Sequence, residues 1–364
     1  MTASRHQERF GRARHALQEL RADWLLVPPS ADFRWLTGAV ARSTERLVAL
    51  ALPRHGEPFC LVPRLESDAL AAACPWLELE VWADGEDAFA RLQRRMDLTR
   101  GPAVLVGEGL RAEPLLRLAA RARCRPATRA LARMRAVKDS LEIRLMEEAA
   151  ANADRIMEQA ADFVRPGMTE HEVGAFILSR FEVAGDTDAW EIVGSGPNSA
   201  LPHHFTSRRT IEEGDVVLLD LGAFTGGYGS DITRTFWLGV PPPDAERVYD
   251  VVNRARDAGI AAAGAGAEPQ AVDRAARQVI ERAGYGEYFV HRTGHGVGLE
   301  VHEPPYIAAG NREPLVEGMV HSIEPGIYLP GRFGVRLEDL VVVERGGARR
   351  LNHAPLDPLP PRLR

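Results

Sequence analysis

Two aspartates interrupt a stretch of the sequence that otherwise has the composition of a hydrophobic core. The segment VVLLDLGAFTGGYGSDITRTFWLG, residues 216–239, resembles two buried strands, with Asp220 in the first and Asp231 in the second. If residues 224–227 form a four-residue loop, antiparallel pairing places Asp220 directly opposite Asp231. An isolated buried carboxylate is costly unless it is neutralised, paired or bound to a metal. We therefore expect a cation beside this pair.

Two glutamates repeat the arrangement about a hundred residues later. Glu324 and Glu338 flank a second pair of strands, and a loop centred on Gly331 sets them opposite one another. Four carboxylates that converge from two hairpins would repel one another and titrate abnormally unless cations lay among them. A pair of divalent metal ions would resolve this conflict.

A fifth candidate ligand lies in the segment HRTGHGVGLEVHE, residues 291–303. His295 stands between two glycines, which permit a close approach of the backbone, and His302 follows seven residues later. One imidazole with four carboxylates suits Mn²⁺, Zn²⁺, Co²⁺ or Fe²⁺, and the excess of carboxylates favours manganese.

The elements that must position these side chains follow one order twice. A long helix capped by Asp139, and a second helix with a capping box at Thr169, precede the aspartate strands. After residue 241 two further helical segments precede the glutamate strands. This two-fold organisation predicts a site between the halves of a catalytic domain at residues 131–364.

The first 130 residues have an α/β pattern, in which short apolar segments alternate with helical ones. The segments DWLLVP, RLVALALP, EPFCLVP and AVLVGEG indicate strands, and residues 6–21 and 111–122 indicate helices. Pro126 and a run of basic residues mark the change to the next domain. We place the domain boundary near residue 130.

Composition limits the classes of function. The net charge of −6 and the 26% of charged residues provide no basic surplus for nucleic acid, and no apolar run reaches membrane-spanning length. Three cysteines without metal-type spacing make a disulfide framework a poor explanation and favour a cytoplasmic location. The N-terminus lacks the apolar core of a signal peptide.

Five strings of residues occur in an order and spacing that resemble the pita-bread metallopeptidases, the family of Xaa-Pro dipeptidases (prolidases), aminopeptidase P and methionine aminopeptidases. They are LDLG, SDITRTF, GHGVGLEVHE, SIEPGIY and VRLED, and the resemblance covers roughly residues 137–345. It implies an α/β N-terminal creatinase-like domain plus an α+β pita-bread catalytic domain with pseudo-two-fold symmetry. It also implies a homodimer, with the N-terminal domain of one subunit near the active site of the other.

The same resemblance implies roles for individual residues. The implied metal ligands are Asp220, Asp231, His295, Glu324 and Glu338, of which Asp231 and Glu338 bridge two ions. His203 is matched to a substrate histidine, His302 to a proton-handling histidine, and Arg336 to a residue that supports the site. His204 competes with His203, and its structural interpretation is a surface or supporting role.

The expected chemistry is hydrolysis of the peptide bond before proline in small peptides. Two adjacent cations would acidify a water molecule and polarise the scissile carbonyl. Glu324 is the expected general base, and His203 and His302 would bind the substrate or the developing oxyanion. Tyr328 is a weaker candidate for the same task.

Three other classes remain open at this stage. A creatinase-like hydrolase shares the fold without metals but would not be expected to keep all five ligands. A methionine aminopeptidase usually lacks a sizeable N-terminal domain of this type. A non-catalytic binding member of the fold would not need an intact ligand set.

The length of the substrate depends on how its C-terminus is recognised. A dipeptidase needs an arginine that pairs with the proline carboxylate, whereas an aminopeptidase P needs that space open. Arg34, Arg42 and Arg46 lie beside an expected WLTG loop, and we expect one of them, Arg46, to close the site. The alternative, that all three are solvated surface arginines, stays open beside it. The interpretation favours an Xaa-Pro dipeptidase over an Xaa-Pro aminopeptidase.

Overall fold

The computed structural model describes residues 3–358 of the chain. The chain forms two compact units, and the boundary between them lies between Arg135 and Ala136. The predicted boundary at residue 130 falls inside a helix, Thr128–Ala136, in which Leu131 is buried.

The first unit is a six-stranded mixed sheet with helices. The strand order is β4-β3-β2-β1-β5-β6, with β2 antiparallel to both of its neighbours and the outer pairs parallel. The strands are β1 Trp24–Val27, β2 Ala49–Pro53, β3 Phe59–Pro63, β4 Glu78–Trp82, β5 Ala103–Val106 and β6 Arg123–Pro126. The helices are α1 Ala3–Glu19, α2 Ala31–Thr37, α3 Arg64–Ala73, α4 Ala88–Arg95, α5 Ala112–Ala119 and α6 Thr128–Ala136. The α/β pattern predicted for this region is confirmed.

The expected WLTG loop is wrong, because Trp35 to Thr37 form the last turn of α2. Ser30 caps the helix by accepting a hydrogen bond from the backbone of Phe33, and Gly38 ends it with φ of 77°. Trp35 is buried, so tertiary packing stabilises a helix too short to be evident from its pattern.

The second unit contains four long helices and three groups of strands. The first half comprises α7 Ser140–Phe163, α8 Glu170–Ala184, β7 Thr187–Ser195, β8 Val216–Thr225, β9 Tyr228–Gly229 and β10 Ile232–Trp237. The second half comprises α9 Ala245–Ala262, α10 Pro269–Arg282, β11 Gly294–Gly296, β12 Glu303–Ile307, β13 Val320–Ile323, β14 Gly326–Leu329, β15 Phe333–Arg336, β16 Asp339–Glu344 and β17 Gly347–Arg350. Short 3-10 helices occur at Leu98–Arg100, Gly196–Ala200 and Gly286–Tyr288.

The repeated order of two helices followed by strands is confirmed. One sheet has the order β10-β8-β7, with β9 paired to β8, and the other has the order β12-β11-β13-β16-β17. The strands β14 and β15 form a separate hairpin. Capping boxes at Asp139 and at Thr169 begin α7 and α8 as predicted. Apolar side chains of α7 and α8 form one core with β7, β8 and β10.

The predicted register of the aspartate hairpin is wrong by two residues. Thr233, and not Asp231, lies opposite Asp220. The chain reverses within Gly226–Gly227, whose φ angles of 58° and 91° are those of a two-residue turn, so residues 224 and 225 remain in the strand. A shift of two residues preserves the face of the sheet, and Asp231 therefore still lies on the same side as Asp220.

The predicted register of the glutamate hairpin is confirmed. Gly326 pairs with Arg336 on one side of the two glutamates, and Ile323 pairs with Asp339 on the other. Glu324 and Glu338 consequently lie opposite one another where the chain leaves one sheet for the next.

Within residues 3–358, every helix is too short or too polar to cross a lipid bilayer.

Candidate metal centre and substrate cavity

Side chains from both halves of the second unit converge on one buried point. Ligand atoms of Asp231, His295 and Glu338 lie within 4.8 Å of one another. The Nε2 atom of His295 is 3.6 Å from Oδ2 of Asp231 and 3.3 Å from Oε1 of Glu324. Asp231, His295 and Glu338 are each at most 3% exposed. Four of the five predicted ligands are thus together.

The backbone around His295 allows this approach because its neighbours are glycines. A Cβ atom at Gly294 would collide with the backbone of Ser322, and one at Gly296 would collide with Pro304. The predicted role of both glycines in a close approach is therefore supported. His295 also hydrogen-bonds the backbone oxygen of Gly296 through Nδ1 at 3.2 Å, which leaves Nε2 directed at the carboxylates.

Thr233 joins the two halves at the site. Its hydroxyl donates to Oε2 of Glu338 at 2.7 Å, and the backbone N–H of Glu338 donates to the Thr233 carbonyl at 3.1 Å. Thr233 lies opposite Asp220, where Asp231 was expected. It thus orients the candidate ligand Glu338.

The carboxyl groups are held in an environment that disfavours their negative charge. Burial raises the pKa of Asp231 and of Glu338 well above the usual range, and the neighbouring carboxylates raise both further. Burial also raises the pKa of Glu324 to about 7. Burial lowers the pKa of His295 to about 3, so that its imidazole is neutral. A neutral imidazole is the form that binds metal ions.

Two buried oxygen atoms support cation binding at this point. Oδ1 of Asp220 and Oε1 of Glu338 have no hydrogen-bond partner among the described residues. Buried polar atoms in folded proteins are nearly always partnered, so unpartnered carboxylate oxygens beside a neutral imidazole fit a metal ion.

Arg336 pairs with Asp220, the fifth predicted ligand. Its Nη2 donates to Oδ2 of Asp220 at 2.5 Å, and the guanidinium also donates to Thr233 at 3.0 Å, to the backbone oxygen of Pro202 at 3.1 Å and to the Tyr328 hydroxyl at 2.9 Å. It is only 3% exposed. Arg336 therefore compensates Asp220 and links the halves of the site.

Tyr328, a candidate from the sequence, pairs with His291, which the sequence did not single out. Nε2 of His291 lies 2.8 Å from the Tyr328 hydroxyl, which also accepts the hydrogen bond from Arg336. Burial lowers the pKa of His291 to about 4 and raises that of Tyr328 to about 12, so both are neutral near pH 7. The signal for His291 was its position four residues before His295 in the same segment.

The two predicted substrate histidines line the same cavity. The ring of His302 packs edge-on against His295, with centroids 4.1 Å apart, and partial burial lowers its pKa. His203 is exposed at the cavity wall. His204 instead points to Glu170, with Nε2 2.9 Å from Oε2, which supports its structural interpretation.

The cavity has a volume of about 710 Å³, within the range of small-molecule sites. Acidic groups, histidines, arginines and apolar side chains all line it. The lining comprises Trp190, Ile192, Pro202, His203, Asp220, Asp231, His291, Arg292, His295, Val301, His302, Glu324, Arg336 and Glu338. Such a space suits a short peptide beside a cationic centre.

The predicted closing residue, Arg46, has a partner in its own unit. Its guanidinium makes two hydrogen bonds with the carboxylate of Asp84, at 3.0 and 2.9 Å, and a third with Glu45 at 2.6 Å. Three of the five N–H donors of Arg46 are therefore engaged within its own unit.

Comparison with known proteins agrees with this architecture. Residues 144–345 match the model of metallopeptidase family M24, and residues 9–137 match the creatinase/prolidase N-terminal domain. The catalytic match covers more than half of the chain. The protein therefore belongs to metallopeptidase family M24 and carries the creatinase-type domain before it.

Two relatives and one solved structure illustrate the similarity. A probable dipeptidase PepE of Mycobacterium tuberculosis is 44% identical over 339 residues, which are 91% of this chain and 90% of that protein. An Xaa-Pro dipeptidase of Pyrococcus furiosus is 42% identical over 220 residues, 60% of this chain and 63% of that protein. The crystal structure of a prolidase from Thermococcus sibiricus superimposes with a TM-score of 0.92 at 34% identity, and covers 97% of this chain and 98% of that one.

Proposed function

We propose that this protein is a metal-dependent Xaa-Pro dipeptidase, which hydrolyses the peptide bond before proline. The observation that carries the proposal is the convergence of Asp231, His295 and Glu338, with Glu324 against His295, in a cavity of peptide size. The names of the dipeptidase and prolidase relatives support the same activity.

The proposed ligands are those expected from the sequence, for two divalent ions per subunit. Asp220, Asp231, His295, Glu324 and Glu338 supply the donors, and Asp231 and Glu338 are proposed to bridge the ions. The predominance of carboxylates favours Mn²⁺, with Co²⁺ and Zn²⁺ as alternatives that metal analysis separates. Bound there, the cations would provide Lewis-acid polarisation of the scissile carbonyl and acidify nearby water.

Glu324 is the proposed general base. Its carboxyl group lines the cavity, with Oε1 3.3 Å from Nε2 of His295, and a carboxylate there can accept and return a proton. It would take a proton from the attacking water and pass it to the nitrogen of the leaving proline.

His203 and His302 are the proposed substrate contacts, and Tyr328 assists them. The lowered pKa of His302 leaves a neutral imidazole with one N–H to donate to a substrate carbonyl or to the developing oxyanion. The Tyr328 hydroxyl accepts from Arg336 and donates to the neutral His291, whose Nδ1–H donates to the Arg292 carbonyl, so its contribution is to hold this wall of the cavity in place before the substrate binds. A preorganised donor such as the His302 imidazole stabilises the transition state without a cost of reorientation.

A specific observation favours the dipeptidase over the Xaa-Pro aminopeptidase. Two arginines line the cavity, and the guanidinium of Arg336 is already engaged by four acceptors. The guanidinium of Arg292 instead stacks on the Tyr306 ring at 4.5 Å, and it makes no hydrogen bond to the described residues. We propose that Arg292, which lines the cavity without such hydrogen bonds, pairs with the carboxylate of a C-terminal proline.

A peptide panel tests the function. With Mn²⁺ added, we expect Ala-Pro to be cleaved much faster than Ala-Pro-Gly, and Ala-Ala to be cleaved slowly. Comparable or faster cleavage of Ala-Pro-Gly would establish the aminopeptidase, and cleavage of none of these peptides would favour a non-catalytic binding protein.

The two candidate arginines can be compared directly. We expect Arg292→Ala to raise KM for Ala-Pro about tenfold or more, because a charged hydrogen bond contributes roughly 1.5 to 3 kcal/mol, and to spare tripeptides. Arg46→Ala serves as the matched variant. If only Arg46→Ala raises KM for Ala-Pro, the closing residue predicted from the sequence is the correct one.

We also propose that the protein is a cytoplasmic homodimer. The resemblance to prolidases supports the dimer, and the free cysteines Cys60, Cys74 and Cys124 are consistent with a reducing compartment. Light scattering that gives a monomer under conditions of activity would contradict the dimer.

A further inference from the structure

One buried carboxylate outside the metal centre accepts an unusual number of hydrogen bonds. Glu170, the first residue of α8, is completely buried. Backbone N–H groups of Ser195 and Ser207 donate to it at 2.8 and 3.1 Å, and the hydroxyls of the same two serines donate at 2.7 and 2.6 Å. The side-chain amide of Asn198 donates at 3.0 Å, and Nε2 of His204 lies at 2.9 Å.

These partners span the segment that carries His203. Ser195 and Asn198 precede His203 in the chain, whereas His204 and Ser207 follow it. Glu170 therefore holds the segment on both sides of the histidine. Its own backbone N–H donates to the Arg209 carbonyl at 3.0 Å, which ties the helix start to the end of the same segment.

The segment is also connected to the metal centre. The backbone oxygen of Pro202 accepts a hydrogen bond from Arg336, which in turn holds Asp220. The imidazole of His203 has no hydrogen bond to the described residues, and its side chain is exposed. The location of this imidazole therefore depends on the backbone that Glu170 and Arg336 hold.

A carboxylate suits this task better than an amide. Every partner of Glu170 presents a donor, or a histidine nitrogen that can donate, and an ionised carboxylate accepts at both oxygens. Burial opposes ionisation, but the hydrogen bonds from Ser207, His204, Ser195 and Asn198 outweigh it and lower the pKa of Glu170. Glutamine would place an NH₂ group against donors and leave buried groups unpartnered.

We propose that Glu170 is a positioning residue for the peptidase reaction, which fixes residues 195–209 so that the His203 imidazole meets the substrate. The inference rests on the proposed function in one respect, the assignment of His203 as a substrate contact. It adds a residue that touches neither the substrate nor the metal ligands.

The matched variants are Glu170→Gln and Asp154→Asn. Asp154 is also buried and accepts hydrogen bonds from the Asn352 side chain and the His353 backbone, away from the cavity lining. We expect Glu170→Gln to lower kcat/KM by about 10- to 100-fold, because small displacements of catalytic groups have effects of this size. Asp154→Asn should leave kcat/KM unchanged even where it lowers Tm.

A double-mutant cycle separates positioning from a general loss of structure. His203→Ala should lower kcat/KM by about 100-fold, and Glu170→Gln added to His203→Ala should lower it little further. Fully additive effects, or an unchanged kcat/KM in Glu170→Gln, would overturn the proposal. Should Glu170→Gln fail to fold, Ser207→Ala removes a single donor and should give a smaller loss of activity, again non-additive with His203→Ala.

Hydrogen exchange provides a readout that does not depend on activity. In Glu170→Gln the amides of residues 196–209 should exchange faster, and in Asp154→Asn they should not. Unchanged exchange there would refute the ordering role. The cycle is run on whichever peptide of the panel is cleaved, so that failure of the Xaa-Pro assignment and failure of the Glu170 role give different results.

Discussion

The metal-free protein is expected to lose stability as the pH rises from 7 to 8, because burial raises the pKa of carboxyl groups of the metal centre in the folded state. Burial is the largest cause of the raised pKa of Asp231, Glu338 and Glu324. In the unfolded chain such groups have pKa values near 4 and are ionised throughout this range. The folded state consequently binds more protons than the unfolded state, and the free energy of unfolding falls with rising pH.

The magnitude follows from the number of protons retained. Each carboxyl that stays protonated contributes about 1.4 kcal/mol per pH unit. Asp231 and Glu338 have pKa values well above their usual range, whereas Glu324, with a pKa of about 7, loses its proton within the window. One proton retained through this range corresponds to a loss of about 1.4 kcal/mol between pH 7 and 8, and a second would double that loss.

The buried histidines should not obscure this change. His291 and His295, with pKa values lowered to about 4 and about 3, are neutral in the folded state, and unfolded histidines are largely neutral above pH 7. Their contribution, in which stability rises with pH, is therefore mostly complete before the window begins.

Urea unfolding in the presence of a chelator, at pH 7.0, 7.5 and 8.0, measures the effect. Glu338→Gln should reduce the slope and Asp154→Asn should retain it, while saturating Mn²⁺ should stabilise the wild-type protein and offset the decline. A free energy of unfolding that is constant or rises across this range in the metal-free protein would refute the reasoning.

Three further outcomes are expected. Glu338→Gln or Asp231→Asn should remove most activity and lower the bound metal below two ions per chain, and unchanged turnover in either variant would contradict the bridging role. Tyr328→Phe should lower kcat/KM by about 10- to 100-fold with little loss of Tm, since it removes the hydroxyl that links Arg336 to His291 in the cavity wall; an unaltered kcat/KM would exclude a role for that hydroxyl. Lys138→Met should destabilise the fold by about 3 to 5 kcal/mol, since it leaves the buried Glu303 carboxylate without the ammonium group 2.9 Å away, and a change below about 1 kcal/mol in urea unfolding would show that the pair is dispensable.

The candidate ligands were evident from the sequence because charged residues in apolar strands are conspicuous. Alternation along a strand fixes the face of a side chain even when the register is mistaken. Asp231 therefore lies on the same face of the sheet as Asp220, although the predicted four-residue loop before it was wrong. The Gly226–Gly227 pair was the available sign of a two-residue turn, since both positions require a positive φ.

The remaining parts of the site depend on contacts between distant segments. The partners of Glu170 lie 25 to 37 residues away, and nothing in the local pattern of α8 distinguishes this carboxylate from one at an exposed helix start. The same applies to Arg292, which lies in the irregular segment before β11. The helix α2 was missed because burial of Trp35, and not propensity, stabilises it.

Stepwise reconstitution of the metal-free enzyme shows whether hydrolysis depends on two bound metal ions. Mn²⁺ is added in measured equivalents to chelator-treated protein, and the initial rate of Ala-Pro hydrolysis is recorded beside the bound metal. We expect negligible hydrolysis without metal and a rate that reaches its plateau at two bound ions per chain. Full hydrolysis of Ala-Pro by the metal-free protein, or none at any metal content, would contradict it.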